Sequence, residues 1–271
     1  MMKISKVSSF ILGLYTISAI WWVVLLLLGD KNSSINLAFV FAYGFIPLFG
    51  GLFGLWNAKK WGFFKSSMGN ALLFLSLGLI TWSIGEMIWT LYYNILLKIE
   101  IPYPSLADGS FILSWPLWII GIFFLSKATG AKFGLRKLQG RMQLLLILII
   151  VSALSYYLLV VVARGGFIEL NGGITKIFFD LAYPLFDVVI ITTVLLVISL
   201  SYGFLGGQFK WPVNVLLISF IVNYFADFTF SYTTTISTYF NGHFADFLFA
   251  TAMFLLSFSI NNFDIKLIES D

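Results

Sequence analysis

Carboxylates inside long apolar segments are the residues of this sequence whose type and spacing could do chemistry. Glu86, Asp187 and Asp227 each lie about ten residues from the end of an apolar run long enough to be a transmembrane helix. At 1.5 Å per helical residue, each would lie roughly 15 Å below the end of its helix, near the bilayer midplane. We therefore expect a deep trio of acids.

A second, shallow trio is expected at helix ends. Asp108, Asp180 and Asp246 each stand near the predicted start of a helix. N-capping of the helix explains acids at such positions, because the first backbone N–H groups lack intrahelical partners. Both trios are predicted to face the non-cytoplasmic side.

Polar residues with helical spacing accompany the deep acids. Asn223 and Asp227 belong to a stripe at intervals of four, and Tyr183 shares a helix face with Asp180 and Asp187. Such stripes should face the interior of a helix bundle, since lipid cannot satisfy them. The predicted binding residues are therefore Glu86, Asp187, Asp227, Asp108, Asp180, Asp246, Asn223 and Tyr183.

No Lys or Arg is predicted deep in any apolar run. A charged Asp at the centre of a membrane helix costs about 2.5–3.5 kcal/mol. The acids must then be protonated, hydrated, bonded to hydroxyl and amide donors, or bound to a cation. The cation could be Na⁺, or Ca²⁺ or Mg²⁺ held by Glu86, Asp187 and Asp227. The alternative is that the acids are protonated and only link helices through hydrogen bonds to Ser, Asn and Tyr.

The elements that must position these residues are membrane helices. The chain is 60% hydrophobic and 10% charged, more apolar than a soluble domain can hide. We predict one all-α integral membrane domain over residues 1–271, a polytopic bundle of eight helices. The predicted spans are 8–29, 36–56, 70–97, 108–127, 142–163, 177–202, 211–237 and 244–262.

The basic residues predict the orientation of the bundle. Twelve of the 16 Lys and Arg residues fall on one predicted side, and the other side has only Lys31, Lys98, Arg164 and Lys176. The positive-inside rule then places both termini in the cytoplasm of a cell-membrane protein. Because these residues lie in short loops, the net charge of +4 does not indicate a nucleic-acid partner.

Residues 70–262 contain weak repeats of helical hairpins. The segments Tyr103–Asp108 and Trp115–Leu117, with the later Ala182–Asp187 and Ala226–Asp227, resemble multi-helix membrane sensor regions of bacterial signalling proteins. Those regions precede diguanylate cyclase, phosphodiesterase or kinase output domains. The resemblance implies perception of a ligand or of the membrane state. We expect no output domain here, so signalling would need a separate partner protein.

Other residue types exclude several kinds of site. The chain has no Cys and one His, His243, so thiolate sites and multi-histidine metal sites are excluded. We expect His243 to be a solvated loop residue, with a shallow ligand or a pH-sensitive gate as alternatives. A set of glycines in the second span, Gly44, Gly50, Gly51 and Gly54, is expected to serve helix packing.

Three functions agree with these features. The first is a sensor- or receptor-like protein with an acidic outward cavity that binds a cation or a cationic or polar small molecule. The second is a secondary transporter coupled to protons or Na⁺. The third is a membrane enzyme with a carboxylate-bound divalent metal. Polar residues concentrate in the predicted outer halves of the helices, which favours binding over transport.

Overall fold

The computed structural model describes residues 4–31, 33–99, 101–166, 173–201 and 210–263. All regular secondary structure in these ranges is helical. The elements are α1 (Lys6–Leu28), α2 (Ser34–Tyr43), α3 (Phe45–Lys60), α4 (Ser67–Met87), α5 (Leu106–Ala128), α6 (Ala131–Gly134), α7 (Leu138–Ser155), α8 (Gly173–Ser201), α9 (Lys210–Thr235) and α10 (Phe244–Ile260). A short 3₁₀ helix, Phe63–Lys65, precedes α4, and π-helices extend α4 over Ile88–Leu97 and α7 over Tyr156–Val162.

Seven helical segments of the described chain are long and apolar enough to cross a membrane. They are α1, α2 with α3, α4 with its π-helix, α5, α7 with its π-helix, α8 and α9. The eighth, α10, is apolar but has 17 residues, at the lower limit for a span. The prediction of an all-helical, multi-span bundle is confirmed at this level. Lys3, Lys266 and most of the predicted boundary at 203–210 lie outside the described residues.

Glycines allow the central helices to approach closely. A Cβ atom on Gly50 would lie 2.1 Å from Ser257 Oγ, and one on Gly78 would lie 2.3 Å from Trp118 Nε1. Neither distance is possible for a real side chain, so α3 contacts α10 and α4 contacts α5 through bare backbone. The packing role predicted for Gly50 is confirmed.

The two ends of the bundle are defined by α10. At its C-terminal end, Asn262 Oδ1 accepts a hydrogen bond from the Ser5 N–H at 3.0 Å, and Ser8 Oγ donates to the Phe258 carbonyl at 3.1 Å. The start of α1 therefore lies beside the end of α10. The starts of α5 and α10 lie at the opposite end, where the acidic residues collect.

A break at Gly44 divides the second span into α2 and α3. The Gly44 carbonyl accepts a hydrogen bond from Ser83 Oγ of α4 at 2.8 Å, which satisfies a backbone group at the break. A Cβ atom on Gly44 would lie 3.1 Å from Glu86 Cγ. The missing side chain therefore leaves room for Glu86, and the break places Tyr43 beside it.

Candidate functional site

A cavity of about 960 Å³ opens among α2, α4, α5, α8, α9 and α10. All eight residues predicted as binding residues line it: Glu86, Asp108, Asp180, Tyr183, Asp187, Asn223, Asp227 and Asp246. The basic side chains on the same wall, among the described residues, are Arg164 and Lys176. The fold thus brings six acids from five helices to one cavity.

The first group, which we call the Glu86 cluster, contains the acids Glu86 and Asp246 and the tyrosines Tyr43 and Tyr239. Tyr43 donates a hydrogen bond to Glu86 Oε2 at 3.2 Å, and Tyr239 donates to Asp246 Oδ1 at 3.0 Å. The Gly242 N–H donates to Asp246 Oδ2 at 2.7 Å. Glu86 and Asp246 are close enough to interact electrostatically. Burial, with the nearby carboxylates, raises the pKa of the loop residue Tyr239, which keeps it a neutral donor.

The second group, the Asp187 cluster, contains Asp108, Tyr183, Asp187, Asn223 and Asp227. Tyr183 donates to Asp108 Oδ1 at 3.1 Å, and Asn223 Nδ2 donates to Asp227 Oδ2 at 2.7 Å. Asp187 interacts electrostatically with Asp227, and both Asp108 and Asp227 act on Tyr183. Within each cluster, acids predicted as deep meet an acid predicted as shallow. The acids of the two expected trios are thus mixed in two clusters.

Asp108 lies in the first turn of α5, as the third helical residue after the N-cap Ser105. Its Oδ2 accepts hydrogen bonds from the Ser105 N–H at 2.8 Å and from Ser105 Oγ at 2.7 Å. Ser105 Oγ in turn accepts from the Asp108 N–H at 3.3 Å, which completes a capping box. The capping role predicted for Asp108 is confirmed, and its Oδ1 remains directed to Tyr183.

Asp180 corrects two expectations. It is the eighth residue of α8 and so does not cap that helix, because the helix begins earlier than predicted. Its carboxylate lies 3.6 Å from Arg164 Nη1 and accepts a hydrogen bond from Tyr103 at 2.8 Å. Arg164 also donates to the Asp180 carbonyl at 2.8 Å. Asp180 therefore has a basic partner, Arg164, which was not expected from the sequence. Burial and the hydrogen bond to Asp180 raise the pKa of Tyr103.

Three buried oxygens at the cavity have no hydrogen-bond partner within the described part of the chain. They are Glu86 Oε1, Asp187 Oδ1 and Asn223 Oδ1. Their residues are 5%, 2% and 3% exposed. A buried acceptor without a donor costs about 1–3 kcal/mol, and more when it is charged. These oxygens are the strongest local signal for a bound donor or cation.

Aromatic rings form much of the remaining wall. The Trp82 ring lies 5.9 Å from Phe249, the Trp89 ring 6.1 Å from Phe230, and the Phe230 ring 6.3 Å from Phe249. All four side chains line the cavity. The faces of such rings attract cations. Nothing in the sequence distinguishes these phenylalanines from lipid-facing ones.

The predicted metal centre of Glu86, Asp187 and Asp227 is not formed. No three His, Asp or Glu side chains in the described ranges lie close enough to hold one ion. Glu86 belongs to one cluster, while Asp187 and Asp227 belong to the other. The sequence indicates how deep each acid lies along its helix, but not which neighbouring helices it faces.

His243 is the N-cap of α10. Its Nδ1 accepts a hydrogen bond from the Ala245 N–H at 3.2 Å. Burial, and then the charge of Lys31, lower its pKa. The predicted solvated loop residue is therefore half-buried and has a structural role in the loop beside Asp246.

Comparison of the chain with protein-family models, curated proteins and solved structures found no match. The resemblance to bacterial sensor regions therefore stays a prediction. What the site can do has to be argued from its own geometry.

Proposed function

We propose that this chain is a sensor- or receptor-like protein of the cell membrane whose cavity binds a cation or a cationic or polar small molecule. The observation that carries the proposal is the pair of unpartnered carboxylate oxygens, Glu86 Oε1 and Asp187 Oδ1, buried at the wall of a large cavity. A bound ammonium group or metal ion would supply the donor or charge that both oxygens lack.

The charge balance of the wall supports a cationic ligand. Among the described lining residues, six carboxylates face Arg164 and Lys176. Arg164 contacts Asp180 at 3.6 Å and acts on Asp187 through space, so it offsets only part of the charge of the six acids. Buried charges that lack a partner are tolerated poorly in a low-dielectric medium. A cation that enters the cavity would gain from both clusters.

The position of the cavity supports binding from the non-cytoplasmic side. The cavity lies at the end of the bundle away from Ser5 and Asn262, and its lining residues on α4, α5, α8, α9 and α10 lie in that half or at the helix middle. The excess of Lys and Arg places the termini in the cytoplasm by the positive-inside rule. The concentration of the lining residues in one half of the bundle favours binding over the alternative of proton- or sodium-coupled transport.

Signalling from such a cavity would use a separate partner protein, as the resemblance to sensor regions implies. Occupancy would pull α4, α8, α9 and α10 together through the acids that they carry. A ligand can shift a conformational equilibrium only by its differential affinity for the two states. A cation that contacts acids on four different helices would bind more tightly to the state in which these helices lie closer together.

The test is thermal stability of the purified protein in detergent, titrated with Na⁺, Mg²⁺, Ca²⁺ and alkylammonium ions. A ligand that binds only the native state raises the melting temperature. We expect a rise with at least one cation, which Glu86→Gln or Asp187→Asn reduces. The matched control is Asp30→Asn, because Asp30 does not line the cavity. No rise with any cation, or an equal rise in all the variants, would overturn the proposal.

A further inference from the structure

We infer that the cavity has two cation subsites, one at each carboxylate cluster, and that its ligand is an elongated organic molecule with an ammonium group at each end. This inference rests on the proposed function and specifies the ligand class. It follows from how the acids are grouped, from the wall that joins the groups, and from the cavity's size.

Contacts and electrostatic interactions group the acids within the clusters. The carboxylate that acts on Glu86 is Asp246, and the carboxylate that acts on Asp187 is Asp227. Tyr239 responds to the Glu86 cluster, whereas Tyr183 responds to Asp108 and Asp227. The first cluster thus presents two acids, Glu86 and Asp246, and the second presents Asp187 and Asp227 together with Asp108.

Each cluster also has its own unsatisfied acceptor. Glu86 Oε1 belongs to the first cluster, and Asp187 Oδ1 belongs to the second. The amide oxygen of Asn223, also without a partner, adds a neutral acceptor to the second cluster, because the Asn223 Nδ2 group is committed to Asp227. An ammonium group has three donors. One such group per cluster matches the arrangement of acceptors.

The shared wall suits a hydrocarbon chain. Trp82 and Phe249 pack against each other near the first cluster, and Trp115 stacks on Phe186, the neighbour of Asp187, at 6.4 Å. Buried methylene groups contribute about 0.8 kcal/mol each to binding, and ring faces attract ammonium groups. An alkyl spacer between two ammonium groups would use both properties.

The size and the ligand chemistry of the cavity disfavour a bare ion. A volume of about 960 Å³ is typical of sites for small organic molecules. Ca²⁺ takes six to eight oxygen ligands, and no three carboxylates in the described chain converge on one point. Two groups of acids fit a ligand with two positive charges.

The experiment compares diamines with monoamines of equal chain length by calorimetry on the purified protein in detergent. The probes are putrescine, cadaverine and hexamethylenediamine against n-butylamine, n-pentylamine and n-hexylamine. We expect the best diamine to bind about ten- to a hundredfold more tightly than its monoamine, the gain of one charge-assisted hydrogen-bonded group.

Variants assign the two subsites. Glu86→Gln and Asp187→Asn should each remove the diamine advantage, so that diamine and monoamine bind alike, while Asp30→Asn should keep it. If either variant does not fold, Asp246→Asn or Asp227→Asn replaces it within the same cluster. If a variant still binds the diamine as much more tightly than the monoamine as the unchanged protein does, its cluster is not part of the site and the inference is overturned.

The outcomes separate this inference from the proposed function. Equal affinity for diamine and monoamine in the unchanged protein overturns the two subsites but leaves cation binding intact. Binding of a metal ion without binding of any amine has the same meaning. If neither amines nor metal ions bind, the proposed function fails together with the inference.

Discussion

Asp187→Asn should stabilise the unliganded protein, because it removes a buried charge that lies beside a second acid, Asp227, and that the more distant Arg164 only partly offsets. Asp187 is 2% exposed, lies at the middle of α8, and has an Oδ1 atom without a hydrogen-bond partner. Its electrostatic neighbour Asp227 is also acidic. Asparagine has nearly the same shape, so the substitution changes the charge and little else.

The size of the effect follows from the position of Asp187. An ionised Asp at the centre of a membrane helix costs about 2.5–3.5 kcal/mol. In a chain of a few hundred residues, 1 kcal/mol corresponds to about 2–4 °C in melting temperature. Removing the charge should therefore raise the melting temperature by about 5–14 °C at neutral pH, while the cation-dependent rise is reduced.

The assay is tryptophan fluorescence during heating in detergent, without an added cationic ligand. The matched substitution Asp180→Asn should have the opposite sign, because it removes the negative charge that pairs with Arg164 and that strengthens the hydrogen bond from Tyr103. Losing a charge-assisted hydrogen bond costs about 1.5–3 kcal/mol. If Asp187→Asn lowers the melting temperature as far as Asp180→Asn does, Asp187 is satisfied in the native state and the reasoning is refuted.

Three further substitutions test the surroundings of the cavity by the same melting assay. Tyr43→Phe removes the donor at 3.2 Å from Glu86 Oε2 and should cost about 1–3 kcal/mol; an unchanged melting temperature would contradict that contact. Gly44→Ala places a Cβ atom 3.1 Å from Glu86 Cγ, so it should weaken the cation-dependent rise more than it lowers the unliganded melting temperature. The pKa of His243 in the folded protein is lower than its usual value of 6.5. The stabilising contribution of His243 is therefore present above pH 6.5 and is lost as the pH falls below it. His243→Asn keeps an acceptor for the Ala245 N–H and should melt with less loss of stability between about pH 7 and 5.

The helices and the residues at the cavity follow from local physical rules. A run of about 20 apolar residues can be satisfied in lipid only as a helix, and a polar stripe on such a helix must face protein or water. These rules predict that Glu86, Asp187 and Asp227 face the interior of one helix bundle. The functional role of these acids remains a prediction, because no observation tests it.

The contacts between helices could not be derived in the same way. Tyr43 reaches Glu86 only because the helix breaks at Gly44, and a glycine within an apolar run does not reveal such a break. Arg164 was expected at the membrane boundary, and its partner Asp180 lies on the next helix at a depth that depends on where α8 begins. Pairings of this kind depend on tertiary packing rather than on residue spacing.

The distribution of hydrogen bonds among the acids argues that the cavity is built for an occupant. Asp108, Asp180 and Asp246 each accept donors from loops or helix starts, where backbone N–H groups and flexible side chains are available. Glu86 and Asp187 lie within helices, where the backbone donors are used by the helix itself. Each keeps one buried oxygen without a partner, at the wall of the same cavity. Asp227, by comparison, accepts a hydrogen bond from the amide of Asn223, and a ligand in the cavity would give Glu86 Oε1 and Asp187 Oδ1 the donor that they lack.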